Sequence, residues 1–310
     1  MLTLRSPARW IPDSSWSLGC GTIRGGLGLY RVSIFVEDSL MQTRHLCFPL
    51  FLCLLVSCSQ AKDDSLSEED GQKVMVAFQA EDYDTVISLT AEIPETSRWD
   101  RVRTLSLQRR GEERFFEGKI KESIEDFDAV IARIPEQDPH HWQRGLCYYY
   151  AEEYGKGKAQ FERHQEVNSQ DVENAVWHFI CSVRVPREGV ELDEAVQLAQ
   201  ENLIPIQEDT RVPMAEIHRL FSGAGSVEEV LKAVEPNDDN ALSDSERNHL
   251  CYAHLYLALW FESIGKQDES NEHIRKAAYE YPMDHYMGKT AVVHAKLRGV
   301  GPTGSEKQGE

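Results

Sequence analysis

Two stretches of this chain align without a gap at a separation of 34 residues: RRGEERFFEGKIKESIEDFDAVIARIPEQDP, starting at Arg109, and QRGLCYYYAEEYGKGKAQFERHQEVNSQD, starting at Gln143. Gly111 falls on Gly145, Ile120 on Tyr154 and Phe127 on Phe161. A unit of this length is one supersecondary element that cannot bury its apolar face alone, so the fold must be a stack of such units. The spacing fits two antiparallel helices and a short turn. Gly111 and Gly145 let helix A approach helix B closely, Phe127 and Phe161 on helix B fill the gap, and Gly118 marks the first turn. Pro135 ends helix B, because proline has no amide donor and clashes with the preceding turn. Asp138 followed by Pro139 reads as an N-cap and first-turn proline that start the next helix A.

A third copy is HLYLALWFESIGKQDESNEHIRKAAYEYP, with Leu257, Ala258, Phe261, Gly265, Ala277 and Pro282 at matching positions. The pattern resembles the tetratricopeptide repeat family: a glycine and an aromatic on helix A, a turn, then a small residue, an aromatic and a closing proline. Ser123 and Gly157 depart from the family's helix-B alanine, and the second copy lacks the final proline. Weaker copies are read over 71–93, broken at Asp82-Tyr83-Asp84, and over 172–202, with a turn enlarged around Pro186 to Gly189. A short pair follows over Pro213–Phe221 and Ser226–Val234, then a polar loop from Glu235 to Asp244. Asp284 to Arg298 reads as a solvating cap helix. The expected fold is all-α, an α-solenoid of antiparallel helical hairpins forming a tetratricopeptide-like superhelix over residues 71–298, with 299–310 as a disordered tail.

The segment MQTRHLCFPLFLCLLVSC from Met41 has the three-part layout of a secretory signal: basic start, apolar core and small residue before a cysteine. Its apolar run, Leu46 to Val56, is 11 residues long, against roughly 18 or more for a bilayer-spanning helix. Leu55-Val56-Ser57-Cys58 resembles the bacterial lipobox, which implies cleavage before Cys58 and a diacylglyceryl thioether on its thiol. Ser59 in the next position implies, by the same family's sorting rule, delivery to the outer membrane facing the periplasm. Residues 1–40 show no periodicity and read as an extension ahead of a start at Met41. Residues 41–57 are then the signal peptide, and 58–70 a polar, acidic tether.

The chain carries 33 basic and 52 acidic residues, a net charge of −19. Loss of residues 1–57 would remove five basic and three acidic residues and leave −21. A surface of this sign repels phosphate, so nucleic acid is not an expected partner. The seven cysteines, at 20, 47, 53, 58, 147, 181 and 251, form no CxxC pair, and no metal or cofactor is expected. Cys147, Cys181 and Cys251 sit in apolar helical stretches, where a free thiol behaves as a small hydrophobe. His140 and His141 are adjacent, point about 100° apart on a helix and read as solvated turn residues. Glu125 with Asp126 reads as a solvated pair, and Asp238-Asp239-Asn240 lacks the glycine and distal glutamate of a calcium loop.

In a stack resembling this family helix A lines the concave face. Trp142 and Trp177, 35 residues apart, would share a rung there with Gln143, Tyr149, His178, Arg184 and Arg109 beside them. Tryptophan, tyrosine and arginine most often anchor protein interfaces; the alternative for Trp142 and Trp177 is that they pack between hairpins, as a tryptophan near that position does in many repeats of the family. The expected function is that of a lipid-anchored, non-catalytic adaptor holding a protein or peptide in the concave groove, without a cofactor. Two alternatives are an enzyme using the irregular region 184–245 with His178, Arg184 or His218, and a cytosolic adaptor beginning at Met1 and never cleaved.

Overall fold

The computed structural model describes residues 66–236 and 241–303. The proposed extension, the signal, Cys58, the tether to residue 65, the Asp238-Asp239-Asn240 loop and the tail from 304 lie outside the described residues. The described part is all-helical. α1 (Glu68–Gln79), α2 (Tyr83–Leu89), α3 (Arg98–Glu117), α4 (Ile120–Arg133), α5 (Trp142–Tyr150), α6 (Tyr154–Val167), α7 (Val172–Arg184) and α8 (Leu192–Glu201) make four successive pairs. α9 (Met214–Phe221) and α10 (Val227–Ala233) form a short fifth pair, and α11 (Asp244–Ser263) with α12 (Gln267–Arg275) a sixth, closed by α13 (Tyr286–Leu297). No helix among the described residues is long and apolar enough to cross a membrane.

Capping explains where the helices start. Ser67, Asp82, Ser97 and Asp171 each accept a backbone N–H of the first turn, and Ser226 and Ser243 form reciprocal capping boxes with Glu229 and Glu246. The Ser67 cap sets α1 at Glu68, so the expected tether is shorter than residue 70. Asp138 is not a cap. It lies in a 3₁₀ turn over Pro135–His140 and pairs with Arg144 and Arg163, and α5 begins only at Trp142.

The repeat register is visible in the packing. A Cβ on Gly111 would lie 2.6 Å from the Phe127 ring, and one on Gly145 2.7 Å from the Phe161 ring. The fourth residue of each helix B must be small for the same reason: Ser123 donates to the Gly111 carbonyl at 2.7 Å, Ser270 to the Ala258 carbonyl at 2.9 Å, and Gly157 faces Cys181. The departure from alanine at Ser123 is therefore a hydrogen bond across the hairpin. Eighth positions are Phe127, Phe161, Ala199 and Ile274.

Each turn uses one left-handed residue, Gly118 in the α3–α4 turn and Gly265 in the α11–α12 turn; Glu152 stands at the same place in the α5–α6 turn with φ 61°. A left-handed conformation costs an L-residue roughly 1–2 kcal/mol, partly offset by the extra unfolded-state entropy of glycine. Glu152 is exposed and no neighbour requires its side chain for packing. Glu152→Gly is expected to stabilise the protein by about 0.5–1 kcal/mol, read as a rise of roughly 2 °C in the thermal midpoint. An unchanged or lower midpoint would show that the turn stores no such strain.

The last helices do not cap the stack in solvent. α13 packs on α3, α11 and α12, burying Met287, Ala291, Val293 and His294, and Lys296 reaches the Glu117 carbonyl. α11 packs on α7, where the Tyr256 hydroxyl donates to Glu173 at 2.5 Å. The inner faces of the early helices are thus covered by the chain's own C-terminal part. The start of the expected frayed tail is also docked, since Val300 is buried and the Tyr279 hydroxyl donates to its carbonyl at 3.1 Å.

Candidate functional site

The residues expected to face a groove separate into two groups. Trp177 is 2% exposed and Tyr149 3%. Trp177 packs edge-on against Tyr149 and Tyr150, with ring centroids 5.4 and 6.1 Å away. Neither can contact a partner, because α11 and α13 lie over them. Arg184 points to the same interior and donates to the Glu262 carbonyl at 2.8 Å. Trp142 is half-buried, its ring 4.7 Å edge-on from Tyr286 of α13. Gln143 and Arg109 remain half-exposed, with Arg109 3.2 Å from Glu112.

The interior group converges on Glu262, which sequence reading passed over as one more acidic residue. Its carboxylate accepts from the Tyr149 hydroxyl at 3.0 Å and from Arg298 at 2.7 and 3.1 Å. His294 Nε2 lies 2.9 Å from its other oxygen. Burial opposes the charge, but the His294 and Arg298 contacts outweigh it and hold the carboxyl well below the usual carboxylate range. This cluster ties α5, α11 and α13 together.

Three further expectations on polar residues change. Asp126 is buried and receives Arg110 at 2.6 and 3.0 Å and Arg114 at 2.8 Å, so it is no solvated neighbour of Glu125. His141 is buried, bonded to Gln108 at 2.9 Å, and burial pushes its pKa down to about 3. His178, expected to be exposed, is 6% exposed. Cys147, Cys181 and Cys251 are free and buried as expected, and burial pushes the Cys147 and Cys251 thiols up to about 12.

A second row runs through the repeats along the helix A–helix B seam. Arg110 reaches Asp126, the seventh residue of α4, and 34 residues on Arg144 reaches Gln160, the seventh of α6, at 2.7 and 3.0 Å. The third rung is His178. Its Nε2 lies 3.4 Å from Glu162, as Arg144 Nη1 lies 2.7 Å from Asp128, the equivalent residue one repeat earlier. The seventh residue of α8, however, is Leu198, which accepts nothing, and His178 Nδ1 is buried without a partner. Beside it Ala199 replaces the phenylalanine of the earlier repeats. A cleft of about 570 Å³ opens there between α6, α7, α8 and the following Leu203–Pro205 segment.

The irregular region 184–245 is pinned where it is described. Arg211 binds Asp209 and Asp171 at 2.6 Å and also Glu173, holding the loop before α9 to the N-terminus of α7. His218 bonds the Ile204 carbonyl at 2.9 Å. Arg184 points away to Glu262, while His178 lines a cleft with Ile204, whose carbonyl His218 holds from outside that lining. Among the described residues no group of three or more His, Cys, Asp or Glu side chains could hold a metal ion.

The fold and the seam define an all-α protein of stacked helical hairpins with one cleft at an interrupted rung. No family model matches the chain, and no curated protein is significantly similar to it.

Proposed function

We propose that the chain is a lipid-anchored, non-catalytic adaptor of the bacterial cell envelope, built on tetratricopeptide-type hairpins and binding another protein. The observation that carries this reading is the pair Arg109 and Gln143, which hold equivalent positions 34 residues apart on α3 and α5 and stay half-exposed, with half-buried Trp142 next to Gln143 in the chain. Arginine and tryptophan are residue types that anchor interfaces. In this reading the partner docks on this rim, since Tyr149 and Trp177 are buried and unable to meet it. The thioether at Cys58 would fix the protein to the outer membrane on its periplasmic side, and the acidic tether would give it reach.

Two measurements test the proposal. Intact mass spectrometry on the native membrane fraction is expected to find a chain that begins at lipidated Cys58; one that retains residues 1–57 overturns the anchored reading. The double variant Arg109→Glu, Gln143→Glu is expected to keep its helicity and lose at least tenfold in recovery of co-purifying envelope proteins. Undiminished recovery would remove the rim as the binding surface.

A further inference from the structure

In a stack of hairpins each pair covers one side of its neighbour, and a terminal pair stays soluble when its outer side is polar. The first described pair departs from that rule. α1 turns Glu69, Lys73, Val76 and Ala80 to one exposed side at helical spacing, and with Asp82 and Thr85 of α2 they border an open groove of about 440 Å³. Val76 stands there 62% exposed, more than any other large apolar side chain among the described residues. Acids border both ends of the groove helix, Glu68, Glu69 and Asp70 at its start and Glu81 and Asp82 just beyond its end. Against them stands Lys73, which pairs with Glu69 at 2.9 Å and Asp70 at 3.2 Å.

The last helix presents the opposite face. From His285 to Ser305 the sequence holds no Asp or Glu, although 52 of its 310 residues are acidic. α13 buries Met287, Ala291, Val293 and His294 and turns His285, Lys289, Val292 and Lys296 outward. Val292 is 41% exposed, and the two lysines flank it. Neither ammonium group meets a buried carboxylate: Lys289 lies 3.4 Å from exposed Asp284, and Lys296 reaches the Glu117 carbonyl. Of the large apolar side chains left exposed among the described residues, Met75, Val76, Val292 and Leu297 lie on these two helices. Since Val76 and Val292 are both exposed, the two faces do not cover each other within one chain.

Between chains they fit by charge and length. Each helix has 12 residues, about 18 Å. Set antiparallel with Val292 on Val76, α13 of a second copy brings Lys296 to the Glu68–Glu69 end and Lys289 to the Glu81–Asp82 end. The parallel arrangement sets Lys289 against Lys73 instead. Two copies of net charge −19 repel over most of their surface, and the acid-free face of α13 is where an acidic margin meets attraction.

We propose that the chain self-associates head to tail, the outer face of α13 of one copy docking in the α1–α2 groove of the next. The two surfaces differ, so the contact is heterologous and extends into longer assemblies unless a ring closes. It does not use the Arg109–Gln143 rim and stands without the adaptor reading.

The test is sedimentation equilibrium of the purified full chain. A single helix in one groove lies at the low end of interface sizes, so association is expected with Kd about 10–100 µM. The weight-average mass at about 200 µM should then exceed twice that of the monomer and fall towards the monomer's at about 2 µM. Val76→Asp, and separately Lys289→Glu with Lys296→Glu, are expected to stay monomeric at the higher concentration with unchanged helicity, because all three side chains are exposed. Lys289→Glu alone, which leaves Lys296 on the Glu117 carbonyl, should weaken association at least fivefold. Mixed in equal amounts, Val76→Asp and the double lysine variant should reach up to twice the monomer mass and no more, because the first keeps its α13 face and the second its groove. A wild-type chain that stays monomeric at the higher concentration overturns the proposal. So does a mixture that stays monomeric, or association undiminished in Val76→Asp or in Lys289→Glu.

Discussion

Replacing Glu262 with leucine lowers the thermal midpoint by roughly 6–12 °C, measured by loss of helical circular dichroism. The carboxylate is 5% exposed and accepts from Tyr149 and twice from Arg298, with His294 against its second oxygen. Removing one partner of a buried ion pair typically costs about 3–5 kcal/mol, because the remaining charge stays desolvated. Arg298 keeps 27% of its side chain exposed and can partly rehydrate, which places this case near 3 kcal/mol. In a domain of this size each kcal/mol moves the midpoint by about 2–4 °C. Glu262→Gln keeps the shape and one acceptor and should lose about half as much. Because the folded carboxyl ionises below the usual range, the wild-type contribution is fully present above the unfolded value of 4.5 and is lost as pH falls through the lower folded value. An unaltered midpoint in the leucine variant would mean that Glu262 does not bind α13 to α5.

The sequence carried the hairpins and little of what lies between them. The 34-residue period and the Gly111–Phe127 and Gly145–Phe161 pairs are properties of neighbouring helices, so spacing alone exposes them, and the packing agrees to the residue. The α7–α8 turn around Pro186 to Gly189 and the short α9–α10 pair were legible for the same reason, through proline and glycine. Covering of the inner faces was not. It depends on α11 and α13 returning to α3, α5 and α7, a contact over more than a hundred residues such as Tyr149 with Glu262, which no local period encodes. Hence the sequence leaves Trp177 between packing and recognition and puts Tyr149 on the groove, although both are core. Asp126 failed in the opposite sense: composition presents it as a solvated acid, while Arg110 and Arg114 of α3 make it interior. The interrupted rung left one usable signal, Leu198 and Ala199 standing at the seventh and eighth positions of α8. It becomes readable only when α8 is counted from its own first residue, because the longer turn shifts the 34-residue register.

Between pH 7 and pH 5 the protein is expected to lose at least about 3 kcal/mol of stability and to take up at least about two protons on unfolding at pH 5. His141, His254 and His273 are 4%, 5% and 8% exposed. Burial pushes their pKa values to about 3, about 3 and about 4, with His273 and Lys276 also disfavouring charge on His254. His254 and His273 meet Nδ1 to Nδ1 at 2.8 Å, so one must donate and the other accept, and a proton on both would set two N–H groups against each other. The sign follows from linkage: these bases have folded values below the unfolded 6.5, so the unfolded chain binds more protons and stability falls as pH drops below 6.5. Each contributes about 2 kcal/mol by pH 5. Glu173 acts the other way. Burial first, against Arg211, pushes its pKa up to about 7, so the folded state gains a proton before the unfolded one and recovers about 2 kcal/mol over the same range. The net loss is the difference. Substituting both partners, His254→Leu with His273→Leu, removes two proton-uptake sites together and leaves no unpaired group, so stability at pH 7 should change little. Charge repulsion across the acidic surface is common to both proteins and cancels in the comparison. Calorimetric unfolding in buffers of different ionisation enthalpy counts the protons. Uptake lower by about two in the double variant identifies the histidine pair as the main acid-sensitive element of the fold, whereas unchanged uptake means that other groups carry the transition.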